Sequence, residues 1–160
     1  MSALSPYNHG IHNNDCPYGP LGQDVKPALT NKDFVKRVLV VDDDRVFCRL
    51  IAETLSSSGY DTQMAFSGED GLVAHEHYKP NLILLDVAMP GISGFEVATT
   101  IRDREQDSDQ RTLIVIMSAH ASSFAVSVSF HTGISGYLTK PILPRDVLSQ
   151  VRNILPLEVE

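Results

Sequence analysis

Short apolar runs alternate along this chain with longer stretches in which apolar residues recur at helical spacing. The run from Val38 to Val41 is rich in β-branched residues and predicts a strand that is buried on both faces. Four more strands are predicted at 60–66, 81–86, 111–117 and 135–139. Strands that alternate with helices predict an open parallel sheet covered on both faces, because crossovers between parallel strands are right-handed. The pattern alone leaves the strand order undecided.

Helices are predicted after each of these strands, and local signals mark several of their ends. Gly59 favours the end of the first helix. Ser67 is a good capping residue with Asp70 three positions later, and Pro80 ends the helix that begins there. Pro144 lies in the first turn of the last helix, where proline is favoured. The predicted helices cover 45–58, 67–80, 93–104, 121–132 and 144–155.

Composition and charge are those of a single globular domain and argue against several partners. The 160 residues are 42% hydrophobic and 21% charged, which suits one domain with its own core. The net charge of -7 argues against direct binding to nucleic acid or to anionic membranes, since both need a cationic surface. No apolar stretch approaches the roughly 20 residues of a membrane span, and the N-terminus lacks a signal-peptide pattern, so we expect a cytoplasmic protein. Cys16 and Cys48 lie in unlike surroundings, and we expect no disulfide between them.

A change in composition near Lys36 divides the chain into an N-terminal extension, residues 1–36, a folded domain that carries the apolar pattern, residues 37–156, and a short tail, residues 157–160. The extension contains four prolines and no apolar periodicity, so it cannot bury enough surface to offset the entropy of ordering. We expect it to be flexible. Four of its side chains resemble metal ligands, but no second ligand pair follows at structural-zinc spacing: His9, His12, Asp15 and Cys16.

Reactive side chains come at the ends of four of the predicted strands. Asp42 and Asp43 follow the first strand, Asp86 ends the third, Ser118 follows the fourth and Lys140 follows the fifth. The carboxyl ends of parallel strands open onto one edge of the sheet, where such folds place their sites. We therefore expect these five side chains to converge at that edge.

Carboxylates that meet in this way need a cation or a proton. Two of them about 4 Å apart repel by about 4 kcal/mol at an effective dielectric constant of about 20. Oxygen ligands that are open to water suit a hard ion such as magnesium better than zinc. One carboxylate could then attack phosphorus while the metal, Lys140 and Ser118 bind the oxygens of the transferred group. Because no general base is evident, we expect slow loss of the phosphoryl group and no conventional enzymatic turnover.

Four segments carry a resemblance to a known family: Val-Val-Asp-Asp-Asp ending at Asp44, Leu-Leu-Asp-Val-Ala-Met-Pro-Gly ending at Gly91, Ser118-Ala119, and Tyr-Leu-Thr-Lys-Pro ending at Pro141. In this order and at these separations they resemble the signatures of the response-regulator receiver domains of two-component signalling. The likeness covers residues 37–155, essentially the whole predicted domain. It implies a flavodoxin-like sheet with the strand order 2-1-3-4-5.

The resemblance also implies a role for each reactive side chain. It makes Asp86 the acceptor of a phosphoryl group from a phosphohistidine, carried by a sensor histidine kinase or a histidine phosphotransfer protein. Ser118 and Tyr137 correspond to the hydroxyl and the aromatic residue that respond to phosphorylation, and Lys140 to the lysine that pairs with the phosphate. The implied ligands of magnesium, with manganese as the alternative ion, are Asp42, Asp43, Asp86 and the main-chain carbonyl of Ala88.

Other interpretations of the same residues stay open at the level of the sequence. An aspartate-nucleophile phosphatase also uses an acidic motif after its first strand, which Asp42 and Asp44 could supply, but it leaves Asp86 without a role. A flavin-binding module would need a phosphate-binding loop where three carboxylates lie. A receiver-like module that acts only by binding other proteins is the remaining alternative. Simpler structural roles are also expected: Asp44 caps a helix, and His75 and His77 are surface groups.

The segment from Ala119 to Thr139 contains no Asp, Glu, Lys or Arg. Receivers that dimerise through this face to drive a DNA-binding domain resemble one another in a charged network there, so its lack argues against that output. The chain also ends soon after the last predicted helix. We expect a single-domain receiver that acts by docking another protein, by passing on the phosphoryl group, or through an apolar dimer. The predicted binding surface includes Phe124, Val128, Phe130 and Tyr137.

Overall fold

The computed structural model describes residues 35–119 and 133–158, which form five parallel strands and four helices. The strands are β1 Arg37–Val41, β2 Asp61–Ala65, β3 Leu82–Asp86, β4 Leu113–Ser118 and β5 Gly136–Thr139. The helices are α1 Arg45–Ser56, α2 Gly68–Tyr78, α3 Gly94–Arg104 and α4 Pro144–Ile154. Each strand predicted from the sequence is present, with small shifts at its ends.

The strands are hydrogen bonded in the order β2-β1-β3-β4-β5, and every neighbouring pair is parallel. This confirms the strand order that the family resemblance implied. β1 and β3 are neighbours, with Val41 opposite Leu85. Asp42 and Asp86 each come one residue later, so they lie side by side at the carboxyl edge of the sheet.

In the part of the chain that the structure describes, each face of the sheet packs against two helices. Because successive strand side chains point to opposite faces, Leu39 and Ile83 pack with α2 and α3, whereas Val40 and Leu84 pack with α1 and α4. Both faces of the central strands are therefore buried. This explains why these strands appear in the sequence as continuous apolar runs and not as alternating ones.

Local capping interactions fix the ends of the helices. The Ser67 hydroxyl accepts a hydrogen bond from the Asp70 N–H at 3.1 Å, as expected for the start of α2. Lys79 adopts a left-handed conformation with φ 53° and ends α2 just before Pro80. α1 ends at Ser56, earlier than predicted, because the chain turns through Gly59 at φ 98° to enter β2.

The Cys48 thiol is free and lies in the core between α1 and the sheet. It donates to the Val40 carbonyl at 3.5 Å. Burial raises the pKa of Cys48 to about 12, so the thiol is protonated and chemically inert at neutral pH.

Several expectations from the sequence fall outside the described residues and stay predictions. They concern the N-terminal extension up to residue 34, with its His and Cys residues, and the predicted helix at 121–132. The proposed surface residues Phe124, Val128 and Phe130 lie in that second segment. Across 35–119 and 133–158, no helix has the length and apolar character needed to cross a membrane.

Candidate functional site

Three carboxylates meet at the carboxyl edge of β1 and β3. Asp42 follows β1 and is fully buried, Asp86 ends β3 and is 4% exposed, and Asp43 is exposed to solvent. One carboxylate oxygen from each of them lies within 4.8 Å of the other two. The structure thus brings together the three acidic residues that the sequence placed at the ends of neighbouring strands.

The ammonium group of Lys140 lies between two of these carboxylates. Its Nζ is 2.7 Å from Asp42 Oδ2 and 3.0 Å from Asp86 Oδ1. The main-chain N–H of Lys140 donates to the Ser118 carbonyl at 2.8 Å, which holds the residue against the end of β4. The peptide bond from Lys140 to Pro141 is cis. Lys140 follows β5, so it reaches the acidic residues at the ends of β1 and β3 from the other side of β4.

The site carries more negative than positive charge. Burial raises the pKa of Asp42 above its usual value, and the hydrogen bonds from Lys140 and from the Asp44 N–H oppose this only in part. Burial would lower the pKa of Lys140, but hydrogen bonds to Asp42 and Asp86 outweigh burial and raise it. Lys140 is therefore charged at neutral pH. Three acidic side chains thus lie together with one ammonium group among the described residues.

The donor set fits a hard divalent cation. Each of the three residues offers a carboxylate oxygen, the ligand type that magnesium prefers. Since Asp43 is exposed, water can complete the coordination shell, as magnesium requires. Among the described residues the cluster includes no His or Cys, which structural zinc sites use. A dication would also offset the excess of acidic side chains over the ammonium group of Lys140.

The remaining predicted site residues lie close by along the chain. Ser118 ends β4, is 8% exposed and pairs in register with Thr139, one residue before Lys140. Tyr137 is half-buried and packs against the apolar cluster on the α2 and α3 face. Ala88 is exposed in the loop after β3. Ser118 thus shares the edge with the acidic residues, whereas the Tyr137 ring packs against the adjoining core.

Asp44 has the structural role that the sequence predicted. Its Oδ1 accepts hydrogen bonds from the N–H groups of Val46 and Phe47, both at 3.0 Å, which caps α1. The Asp44 carboxylate is directed to the helix start and does not join the acidic cluster.

Two neighbours of the site were not anticipated from the sequence. The Phe47 ring centroid lies 5.0 Å from Lys140 Nζ, within the range of a cation–π contact. At Gly94, the first residue of α3, an added Cβ would overlap the main-chain carbonyl oxygen of Asp86. Phe47 appeared only as part of an apolar helical stripe, and a glycine at a helix start is a weak signal by itself.

His75 contradicts one expectation. It was predicted to be a surface residue, but it is only 7% exposed. Its Nε2 lies 3.0 Å from Thr112 Oγ1 and 3.3 Å from Glu105 Oε1. The prediction was wrong because these partners come from a distant part of the chain and leave no trace in the pattern of α2. His77, on the same helix, is exposed as expected.

The response regulator receiver domain model matches residues 38–152. The alkaline phosphatase synthesis transcriptional regulatory protein PhoP of Bacillus subtilis is 36% identical over 120 residues, which are 75% of this chain and 48% of PhoP. The DNA-binding response regulator MtrA of Mycolicibacterium paratuberculosis is 31% identical over 117 residues, which are 73% of this chain and 50% of MtrA. This chain therefore spans about half the length of the curated relatives it matches. Among solved structures, the chemotaxis protein CheY4 of Vibrio cholerae is similar with a TM-score of 0.70 and 27% identity, over 76% of this chain and 99% of CheY4.

Proposed function

Because this chain belongs to the response regulator receiver domain family of two-component signalling, we propose that it signals by accepting a phosphoryl group on Asp86. The contact of Lys140 Nζ with Asp86 Oδ1 at 3.0 Å, next to the acidic pair, carries this proposal. This contact supports the proposal because a carboxylate that acted as the nucleophile would lie beside the positive charge that a transferred phosphoryl group needs.

In the proposed reaction an oxygen of the Asp86 carboxylate forms a bond to phosphorus. At the same time the bond from phosphorus to the imidazole nitrogen of a phosphohistidine breaks, and the electron pair leaves with the imidazole, which takes a proton from solvent. The phosphohistidine belongs to a sensor histidine kinase or to a histidine phosphotransfer protein. The Lys140 ammonium, which already lies beside Asp86, then pairs with an oxygen of the phosphoryl group.

Asp42, Asp43 and Asp86 are the proposed ligands of magnesium, with the main-chain carbonyl of Ala88 as a further ligand and manganese as the alternative ion. When bound, the ion offsets the negative charge of the phosphoryl oxygens. Asp42 Oδ1, the oxygen that does not contact Lys140, accepts a hydrogen bond from the Asp44 N–H at 2.9 Å. The protein itself therefore orients this carboxylate.

The position of Asp44 argues against the phosphatase alternative. Such an enzyme would need Asp42 and Asp44 to act together in one site. Asp44 instead uses its carboxylate to cap α1 and lies outside the acidic cluster. A module that acts without phosphorylation is the alternative that an experiment must separate from the proposal.

Incubation with acetyl phosphate and magnesium chloride, followed by measurement of the intact mass, tests the proposal. We expect the gain of one phosphoryl group, which is lost in Asp86→Asn and when the metal is chelated. Asp103→Asn, at an exposed position of α3, is the matched control and should be labelled like the parent.

Each other outcome points to a different conclusion. Labelling that persists in Asp86→Asn would show that another residue accepts the phosphoryl group. Turnover of phosphomonoesters that depends on Asp42 would favour a phosphatase. A parent chain that takes no phosphoryl group from acetyl phosphate or from a phosphohistidine donor would favour the phosphorylation-independent module.

The segment 119–139 is the proposed binding surface for a downstream protein. Its lack of charged residues, in a chain that is 21% charged, supports this role. Phe124→Asp and Val128→Asp should alter solubility, self-association or partner binding of the phosphorylated chain. Parent-like behaviour of both variants in all three measurements would argue against this surface.

A further inference from the structure

Arg102, near the end of α3, contacts three separate parts of the fold. Its guanidinium donates to Glu105 Oε2 at 2.7 Å and to the Thr112 carbonyl at 2.9 Å. It also donates twice to the Gly133 carbonyl, at 2.7 Å from Nη2 and at 3.3 Å from Nε. Gly133 lies in the segment that leads into β5. One side chain therefore joins the end of α3 to the entrances of β4 and β5.

The guanidinium is itself held in place by Glu105. The other Glu105 oxygen, Oε1, accepts hydrogen bonds from the hydroxyl and the N–H of Thr112 at 2.6 Å and 3.0 Å. The side chains of Arg102 and Glu105 are 14% and 9% exposed. Burial would raise the pKa of Glu105, but the hydrogen bonds from Thr112 and the charge of Arg102 outweigh it and lower the pKa. Glu105 is thus ionised, and rotation of either side chain would break hydrogen bonds to this buried carboxylate.

His75 completes this network from α2. A carboxylate can only accept hydrogen bonds, so the single hydroxyl proton of Thr112 is donated to Glu105. His75 Nε2, which lies 3.0 Å from the Thr112 hydroxyl, must therefore be the donor in that contact. His75 donates to Thr112, Thr112 donates to Glu105, and Glu105 accepts from Arg102. This series of hydrogen bonds holds the Arg102 guanidinium in place.

β5 is a short strand at the edge of the sheet. It has four residues, and among residues 35–119 and 133–158 the one strand that it pairs with is β4. At its entrance the Ser135 N–H donates to the Ile114 carbonyl at 2.7 Å, and just after its end the Lys140 N–H donates to the Ser118 carbonyl at 2.8 Å. A shift at the entrance of so short a strand would be transmitted to Lys140.

We propose that Arg102 is a positioning residue for phosphoryl transfer, because it fixes the entrance of β5 and thereby the place of Lys140 beside Asp86. The planar guanidinium suits this task, since it can donate to three acceptors at once, which an ammonium on a flexible stem cannot do in the same geometry. The chemical part of this inference rests on the proposed function, and its structural part can be tested independently.

Arg102→Gln tests the proposal, with Arg104→Gln as the matched control. Arg104 lies on the same helix, but its side chain is 47% exposed and its ion pair with Glu76 is 3.8 Å long. In Arg102→Gln, hydrogen exchange at the Ser135 amide should rise on the order of tenfold. The Asp61 amide, at the start of β2 on the opposite edge, should exchange as in the parent.

Phosphorylation provides the second measurement. The rate constant for labelling by acetyl phosphate should fall several-fold in Arg102→Gln, while the affinity for magnesium should match the parent because none of the proposed ligands lies on β5. Arg104→Gln should leave exchange and labelling unchanged. If Arg102→Gln does not fold, Glu105→Gln is the replacement test variant, because it removes the negative charge that holds the Arg102 guanidinium.

Three results would overturn the proposal: parent-like exchange at Ser135, an equal rise at Ser135 and Asp61, or parent-like labelling despite faster exchange at Ser135. The first result would show that Arg102 does not hold β5 in place. The second would show only a general loss of stability, and the third would show that a shift of β5 does not slow phosphorylation. If the parent accepts no phosphoryl group, the proposed function fails, and the two amides still decide whether Arg102 positions β5.

Discussion

The ammonium of Lys140 lies 2.7 Å from Asp42 Oδ2, although 98 positions separate the two residues along the chain. The contact forms because β1 and β5 end at the same edge of the sheet, with β3 and β4 between them. Lys140 also contacts Asp86, so its ammonium lies against two members of a cluster of three carboxylates. The stability of the fold should therefore respond to any change in the charge of this cluster.

Magnesium should stabilise the folded chain. A ligand that binds only the folded state increases the free energy of unfolding, by about 2.7 kcal/mol at a hundred times its dissociation constant. Urea unfolding in magnesium chloride, compared with a chelating buffer of the same ionic strength, measures this effect. Identical unfolding midpoints in the two buffers would argue against a metal site at the acidic cluster.

Asp43→Asn should raise the urea midpoint in the absence of metal and reduce the response to magnesium. Asp43 adds a negative charge next to the buried carboxylates of Asp42 and Asp86, so its removal decreases their mutual repulsion. Asp103→Asn removes the same charge from an exposed site on α3 and should change neither quantity. A destabilised Asp43→Asn in metal-free buffer would contradict this account of the cluster.

Gly94→Ala should destabilise the fold and slow phosphorylation. An open helical position usually gains stability from alanine, but here the new methyl group would overlap the Asp86 carbonyl. Overpacking of this kind costs about 1–3 kcal/mol and would displace the backbone of the proposed acceptor. Urea unfolding and acetyl phosphate labelling measure the two effects. Thr99→Ala, exposed on the same helix, should stay within about 0.5 kcal/mol of the parent.

The free energy of unfolding should fall as the pH drops below the usual pKa of histidine, 6.5. Burial lowers the pKa of His75, the charge of Glu105 opposes this in part, and Lys79 and Arg104 lower it further. The unfolded chain therefore binds a proton at a higher pH than the folded chain. Acid favours the unfolded state, by at most about 1.4 kcal/mol per pH unit for one proton.

Urea unfolding at about pH 7.5 and about pH 5.5 checks the role of His75. His75→Gln offers an amide donor to Thr112 without a titrating group, so its stability should depend less on pH than that of the parent. Glu105 stays ionised across this interval because its pKa is lowered. Equal pH dependence in parent and variant would exclude His75 as the source.

Much of the local structure could be predicted from the sequence. The apolar run at Val38 to Val41 predicted β1, because a strand buried on both faces carries apolar residues at successive positions. Ser67 marked the start of α2, and Asp44 was expected to cap α1. The reactive residues were also located at strand ends, where parallel sheets place their sites. The strand order came from the family resemblance and not from the pattern.

The sequence by itself determined the five strands, the four described helices and several of their ends, because capping and side-chain periodicity involve residues within a few positions of one another. Only the tertiary structure decided that Lys140 meets Asp42 and that His75 is buried against Thr112. Those contacts join residues that are distant along the chain. They depend on strand order and helix packing, which arise when the whole sheet buries both of its faces.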